Sequence, residues 1–89
     1  MNKVWFIKVI DYYGYNDFRS YVLDKGFTNF ENAKKYLNEV VEEQKQYYID
    51  NGRDEEDMED IIEYIGDNEV KFDFLDEYTK YVIDTIEVE

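Results

Sequence analysis

Apolar and polar positions alternate along Lys3–Tyr12, KVWFIKVIDY, and predict a β-strand. Trp5, Ile7 and Val9 share one face, while Val4, Phe6, Ile10 and Tyr12 share the other with Lys8 among them. A strand apolar on both faces belongs at the centre of a sheet or under cover on both sides. Gly14 and Asn16 give Tyr13–Asp17 the chemistry of a turn. Phe18–Leu23 then returns as an antiparallel partner that ends at Asp24-Lys25-Gly26.

The period next changes from two to three and four. Thr28 and Glu31 form a capping box ahead of Phe30, Ala33, Leu37, Val40, Val41 and then Gln44 or Tyr48, which predicts a helix from Asn29 to Ile49. Asn51-Gly52 supplies its C-cap. After Arg53 comes DEEDMEDIIEYI, in which Met58, Ile61, Ile62 and Ile65 make one apolar stripe; a second helix, Asp54–Ile65, is expected with Asp54 as N-cap. Gly66, Asp67 and Asn68 stop it. Val70–Leu75 alternates as a strand with Val70, Phe72 and Phe74 inward, Asp76–Tyr78 turns, and Lys80–Val88 forms a last strand. The order ββααββ predicts one α+β domain: an antiparallel sheet of about four strands with both helices on one face. The other face would then carry exposed aromatics among Asp73, Asp84 and Glu87.

Composition narrows the chemistry. The 89 residues include no cysteine and no histidine, so disulfides, Cys-based metal sites and the commonest general base are missing. Neither a signal peptide nor a membrane span is legible, and a cytoplasmic location is expected. Ser20, the one serine, has no histidine to activate it, and the glycines form no phosphate loop. Around Asp50-Asn51-Gly52 the spacing fails the EF-hand pattern, because Gly52 follows Asp50 by only two residues. No enzymatic activity, cofactor or specific metal site is expected.

Charge is the stronger signal. Residues 1–53 hold eight acids and eight bases, whereas residues 54–89 hold fifteen acids against Lys71 and Lys80, so the net charge of −13 falls in the C-terminal part. Such a field repels nucleic acid and anionic membranes and attracts basic surfaces. Seven of the ten residues Asp54–Glu63 are acidic: Asp54, Glu55, Glu56, Asp57, Glu59, Asp60 and Glu63. The plain reading is a solvated helix face. Against it, like charges at i, i+4 destabilise a helix by a few tenths of a kcal/mol per pair, and mixed signs would solubilise as well. Carboxylates one turn apart lie about 5–6 Å from each other, near the phosphate spacing of a nucleic-acid strand. These residues, extended by Asp67, Glu69 and Asp73, are the expected contact surface for a basic partner. Ten tyrosines exceed what so small a core can hide, and Tyr12, Tyr13 and Tyr15 around Gly14 form a second candidate contact. Alternatively, the chain is an acidic assembly module, with a homodimer formed through an aromatic sheet face or an edge strand.

Abundant Tyr, Asn, Lys and Ile with one Ala, two Arg and no Pro is the usage of an AT-rich genome, as in low-GC Gram-positive bacteria and their phages. Small size, concentrated acidity and aromatic strands together resemble the phage proteins made against host defences, of which DNA-mimicking anti-restriction and anti-CRISPR proteins are the best-known group. The resemblance implies a stoichiometric inhibitor whose partner is a host nuclease or other nucleic-acid-binding effector.

Overall fold

The computed structural model describes residues 2–88. Its elements are β1 (Asn2–Tyr12), β2 (Phe18–Phe27), α1 (Phe30–Asp50), α2 (Glu55–Ile61), β3 (Ile62–Ile65), β4 (Glu69–Asp73) and β5 (Tyr78–Val88). All strand pairings are antiparallel, in the spatial order β2-β1-β5-β4-β3. The α+β class is as expected, but there are five strands instead of four.

The additional strand comes from the second half of the expected acidic helix. Asp54–Ile65 is helical only to Ile61; Ile62–Ile65 then pairs with β4, placing Ile62 opposite Phe72 and Ile65 opposite Glu69. Ile-Ile-Glu-Tyr-Ile is β-branched and aromatic, and it gains a full ladder of backbone hydrogen bonds by joining the sheet edge. Glu63 therefore leaves the helix.

β2 also runs further than its turn residues suggest. Asp24-Lys25-Gly26 does not end it: pairing jumps from Lys8–Val22 to Phe6–Gly26, so the segment is a bulge and the strand continues to Phe27. The Phe27 ring then reaches Tyr36 of α1 at 5.4 Å. Only glycine suits the close approach behind it, since a Cβ on Gly26 would sit 2.9 Å from Val4 Cγ1.

Caps fix α1 at both ends. Its N-cap is Asn29, not Thr28; the Asn29 side chain accepts from the Asn32 N–H at 2.9 Å, so no capping box between Thr28 and Glu31 forms. At the other end Arg53 N–H donates to the Tyr48 carbonyl and Gly52 N–H to that of Ile49, a Schellman motif with Gly52 at φ +106°.

The strand alternation sorts the sheet into two faces. Ile7, Val9, Val70, Phe72, Tyr81 and Ile83 point inward and are buried against Ala33, Leu37 and Val41 of α1 and Met58 of α2. Among the described residues the opposite face carries no helix, and Phe18, Val22, Ile86 and Val88 stay exposed there.

Candidate functional site: the acidic face

Met58 is the anchor of α2. It is the only fully buried residue of that helix, which sits against α1 and β4, with Ile61 half-buried beside it. Because Met58 faces inward, Glu55, Glu56, Asp57, Glu59 and Asp60 all face solvent. Asp54 occupies the N-cap position and its carbonyl accepts from Met58 N–H at 3.1 Å, but its side chain makes no capping bond. Three acids in the first turn complement the positive end of the helix dipole.

None of these carboxylates is ion-paired among the described residues. The two bases of the C-terminal part are engaged elsewhere: Lys71 Nζ lies 3.6 Å from Asp73 Oδ2 and Lys80 Nζ 3.9 Å from Glu69 Oε2. Asp73 also accepts from Leu75 N–H at 3.0 Å.

The structure divides the expected footprint. Asp57, Asp60 and Asp73 line one open hollow of about 430 Å³ together with Arg53, Phe74 and Leu75, and the Arg53 guanidinium lies 5.2 Å from the Phe74 ring centre. In strand register Glu63, Glu69 and Asp73 all alternate onto the helix-free face, Glu63 opposite Lys71, and Asp73 reaches the hollow from the end of β4. Asp67 stands in the β3–β4 turn, at the far end of β4 from Asp73. The acidity that is continuous in sequence is thus spread over two faces, and the dense part is α2 with Asp73.

The tyrosine region lies at the end of the sheet where two hairpin turns meet. An ideal Cβ on Gly14 would be 3.5 Å from the Asp76 carbonyl. Tyr12 stacks on Tyr78 with ring centres 5.2 Å apart and lies 4.8 Å from Phe18. Tyr13 is half-exposed and donates to Asp11 at 3.3 Å; Tyr15 is fully exposed, in a left-handed run of Gly14, Tyr15 and Asn16. Beside them Leu75 is 94% exposed at φ +75°. Asp76 N–H donates across it to the Phe74 carbonyl at 3.1 Å, the hydrogen bond of a γ-turn of the rare, strained hand.

Sequence reasoning placed Leu75 at a strand end and missed this exposed knob; Leu-Asp carries no turn signature. It also passed over Asp11, although the Trp5, Ile7, Val9 alternation puts that carboxylate on the inner face. No group of three or more acids is arranged to hold a metal ion among the described residues, and no helix there is long and apolar enough to cross a membrane. Compared with known proteins, the chain matches no family model, no curated protein and no solved structure.

Proposed function

We propose that this protein is a stoichiometric inhibitor that occupies the basic groove of a nucleic-acid-binding effector, with α2 standing in for phosphates. One observation carries the reading: five exposed carboxylates on a single helix form no ion pair among the described residues and are held as one unit by Met58. Seven helical residues at 1.5 Å each span about 10 Å, so the array carries roughly one charge per 2 Å, against one per about 1.7 Å of duplex axis. A groove lined with Arg and Lys gains the same steering from either, and the protein offers no phosphodiester to cut. The anti-restriction and anti-CRISPR inhibitors of phages are the class this describes.

Leu75 and the hollow between Asp60 and Asp73 add an apolar contact beside the charges, which long-range steering lacks by itself. A variant with Glu55, Glu56, Glu59 and Asp60 all changed to Lys keeps Met58 and the core, so it is expected to fold and to lose partner binding completely. Undiminished binding by that variant would remove the mimic reading.

The helix-free face favours a second reading, an assembly module. Phe18, Val22, Ile86 and Val88 are exposed on it, and β2 is a ten-residue edge strand. Under that reading, ultracentrifugation finds a stable dimer that survives reversal of the α2 acids and dissociates when Val22 and Ile86 are changed to Lys.

A further inference from the structure

At the end of the sheet near the two turns, the inner face holds a cavity of about 270 Å³ between the strands and α1. Asp11 follows Trp5, Ile7 and Val9 in the inward alternation, so a carboxylate stands where the core periodicity would place the next apolar side chain. Tyr13, Tyr21, Tyr48, Phe74 and Tyr81 surround it, Glu77 adds a second carboxylate, and among the described residues no Lys or Arg lines the wall.

The Asp11 charge is solvated by hydroxyls and not cancelled. Thr79 Oγ1 donates to Oδ1 at 2.7 Å and Tyr13 Oη to Oδ2 at 3.3 Å, and neither group carries a positive charge. Two bases stand beside the wall: Arg19, opposite Asp11 on β2, has its guanidinium 6.0 Å from the Tyr13 ring centre, and that of Arg53 lies 5.2 Å from the Phe74 ring centre, but neither forms a salt bridge with Asp11. Burial first, and then negative neighbours that include Asp11, hold the phenols of Tyr21, Tyr48 and Tyr81 above their ordinary pKa, against a smaller opposite pull from Arg19 on Tyr21 and from Arg53 on Tyr48. The cavity is therefore negative, walled by π faces, and smaller than the roughly 300–1,000 Å³ of pockets for drug-sized ligands. Its carboxylates disfavour an anionic ligand such as a nucleotide.

We propose that this cavity receives the guanidinium of one arginine side chain carried by a protein partner. A planar guanidinium stacks on aromatic faces and donates to a carboxylate at the same time, which is the pairing that the wall and Asp11 offer. The guanidinium chemistry rests on the cavity alone; its source, a basic partner protein, rests on the function proposed above.

Aromatic-region NMR of the whole protein during titration with N-acetyl-arginine methylamide tests it, with the citrulline analogue as the neutral isostere. The Tyr13, Tyr48 and Tyr81 ring signals are expected to shift and saturate in the millimolar range with arginine and to stay still with citrulline. Asp11→Asn weakens binding about tenfold, the worth of one hydrogen bond to a charged group. Glu77→Gln weakens it less and serves where Asp11→Asn does not fold. The variant with four α2 acids reversed binds the probe as the parent does, so loss of the mimic function and loss of this site are separable. Equal shifts with citrulline, shifts that never saturate, or dependence on the α2 acids in place of Asp11 would each overturn the site. Free arginine binding far more tightly than an arginine within a glycine-flanked peptide would overturn the protein source.

Discussion

Leu75 shows how one residue can work against the stability of its own fold. Its side chain is in water and its φ of +75° is a region that bulky L-residues avoid, so the native state gains little from burial and carries strain. Leu75→Asn or Leu75→Gly should therefore raise stability by about 0.5–1 kcal/mol in thermal unfolding, and in the proposed complex the same change should weaken binding. A loss of stability would mean that the side chain packs after all. Tyr81 makes a second test at this scale. Burial, more than its neighbours, keeps its phenol protonated past the usual value near 10, so above about pH 10 the unfolded chain surrenders that proton while the native one retains it. Stability then falls as pH rises through that range, and Tyr81→Phe should flatten the fall in denaturant titrations at pH 9 and 11. Of these two residues, Tyr81 shares a face with Ile83 by strand alternation, but nothing local marked that face as the inner one, and nothing in Leu-Asp-Glu announces a left-handed leucine.

At the scale of elements, α2 depends on its packing. Seven residues are far below the length at which a helix persists in water, and like charges at i, i+4 oppose it further. Met58→Ala removes its single buried side chain and is expected to cost about 2–4 kcal/mol. Amide exchange in Glu55–Ile61 should accelerate more than in α1; uniform acceleration would show that α2 unfolds only with the whole domain. The limits of the sequence reading sit at this element too. Met58, Ile61, Ile62 and Ile65 satisfy a helical period, yet the chain is helical only to Ile61, and the strand that follows turns Ile62 to the face of Phe72 and Ile65 to the other. Periodicity could not separate the two, and the β-branched, aromatic run from Ile61, the signal that could have, went unused. Long elements with both ends marked, β1 and α1, were readable almost to the residue. The β2 bulge was not, because Asp-Lys-Gly reads the same as a turn or as a bulge until the partner strand is known.

For the whole molecule, the topology redistributes charge that the sequence shows as a block. β5 returns between β1 and β4, so Asp84 and Glu87 sit beside the near-neutral N-terminal strands, and Glu63, Glu69 and Asp73 turn to the face that holds Lys71 and Lys80. What stays concentrated is α2 with Asp73, next to the end of the sheet that carries Tyr15, Leu75 and the Asp11 cavity. Strand order and this division of faces depend on which strands find each other, which local pattern does not encode. The proposed function follows from the concentrated part and predicts association that weakens steeply as salt screens it. The most direct measurement is capture from the lysate of a low-GC Gram-positive bacterium on the immobilised protein, eluted with rising salt or with duplex DNA and tRNA. The account predicts that proteins which themselves bind nucleic acid are retained at low salt, displaced by either competitor, and not retained by the folded variant with Glu55, Glu56, Glu59 and Asp60 changed to Lys. Retention of the same proteins by that variant, indifferent to nucleic acid, would contradict it.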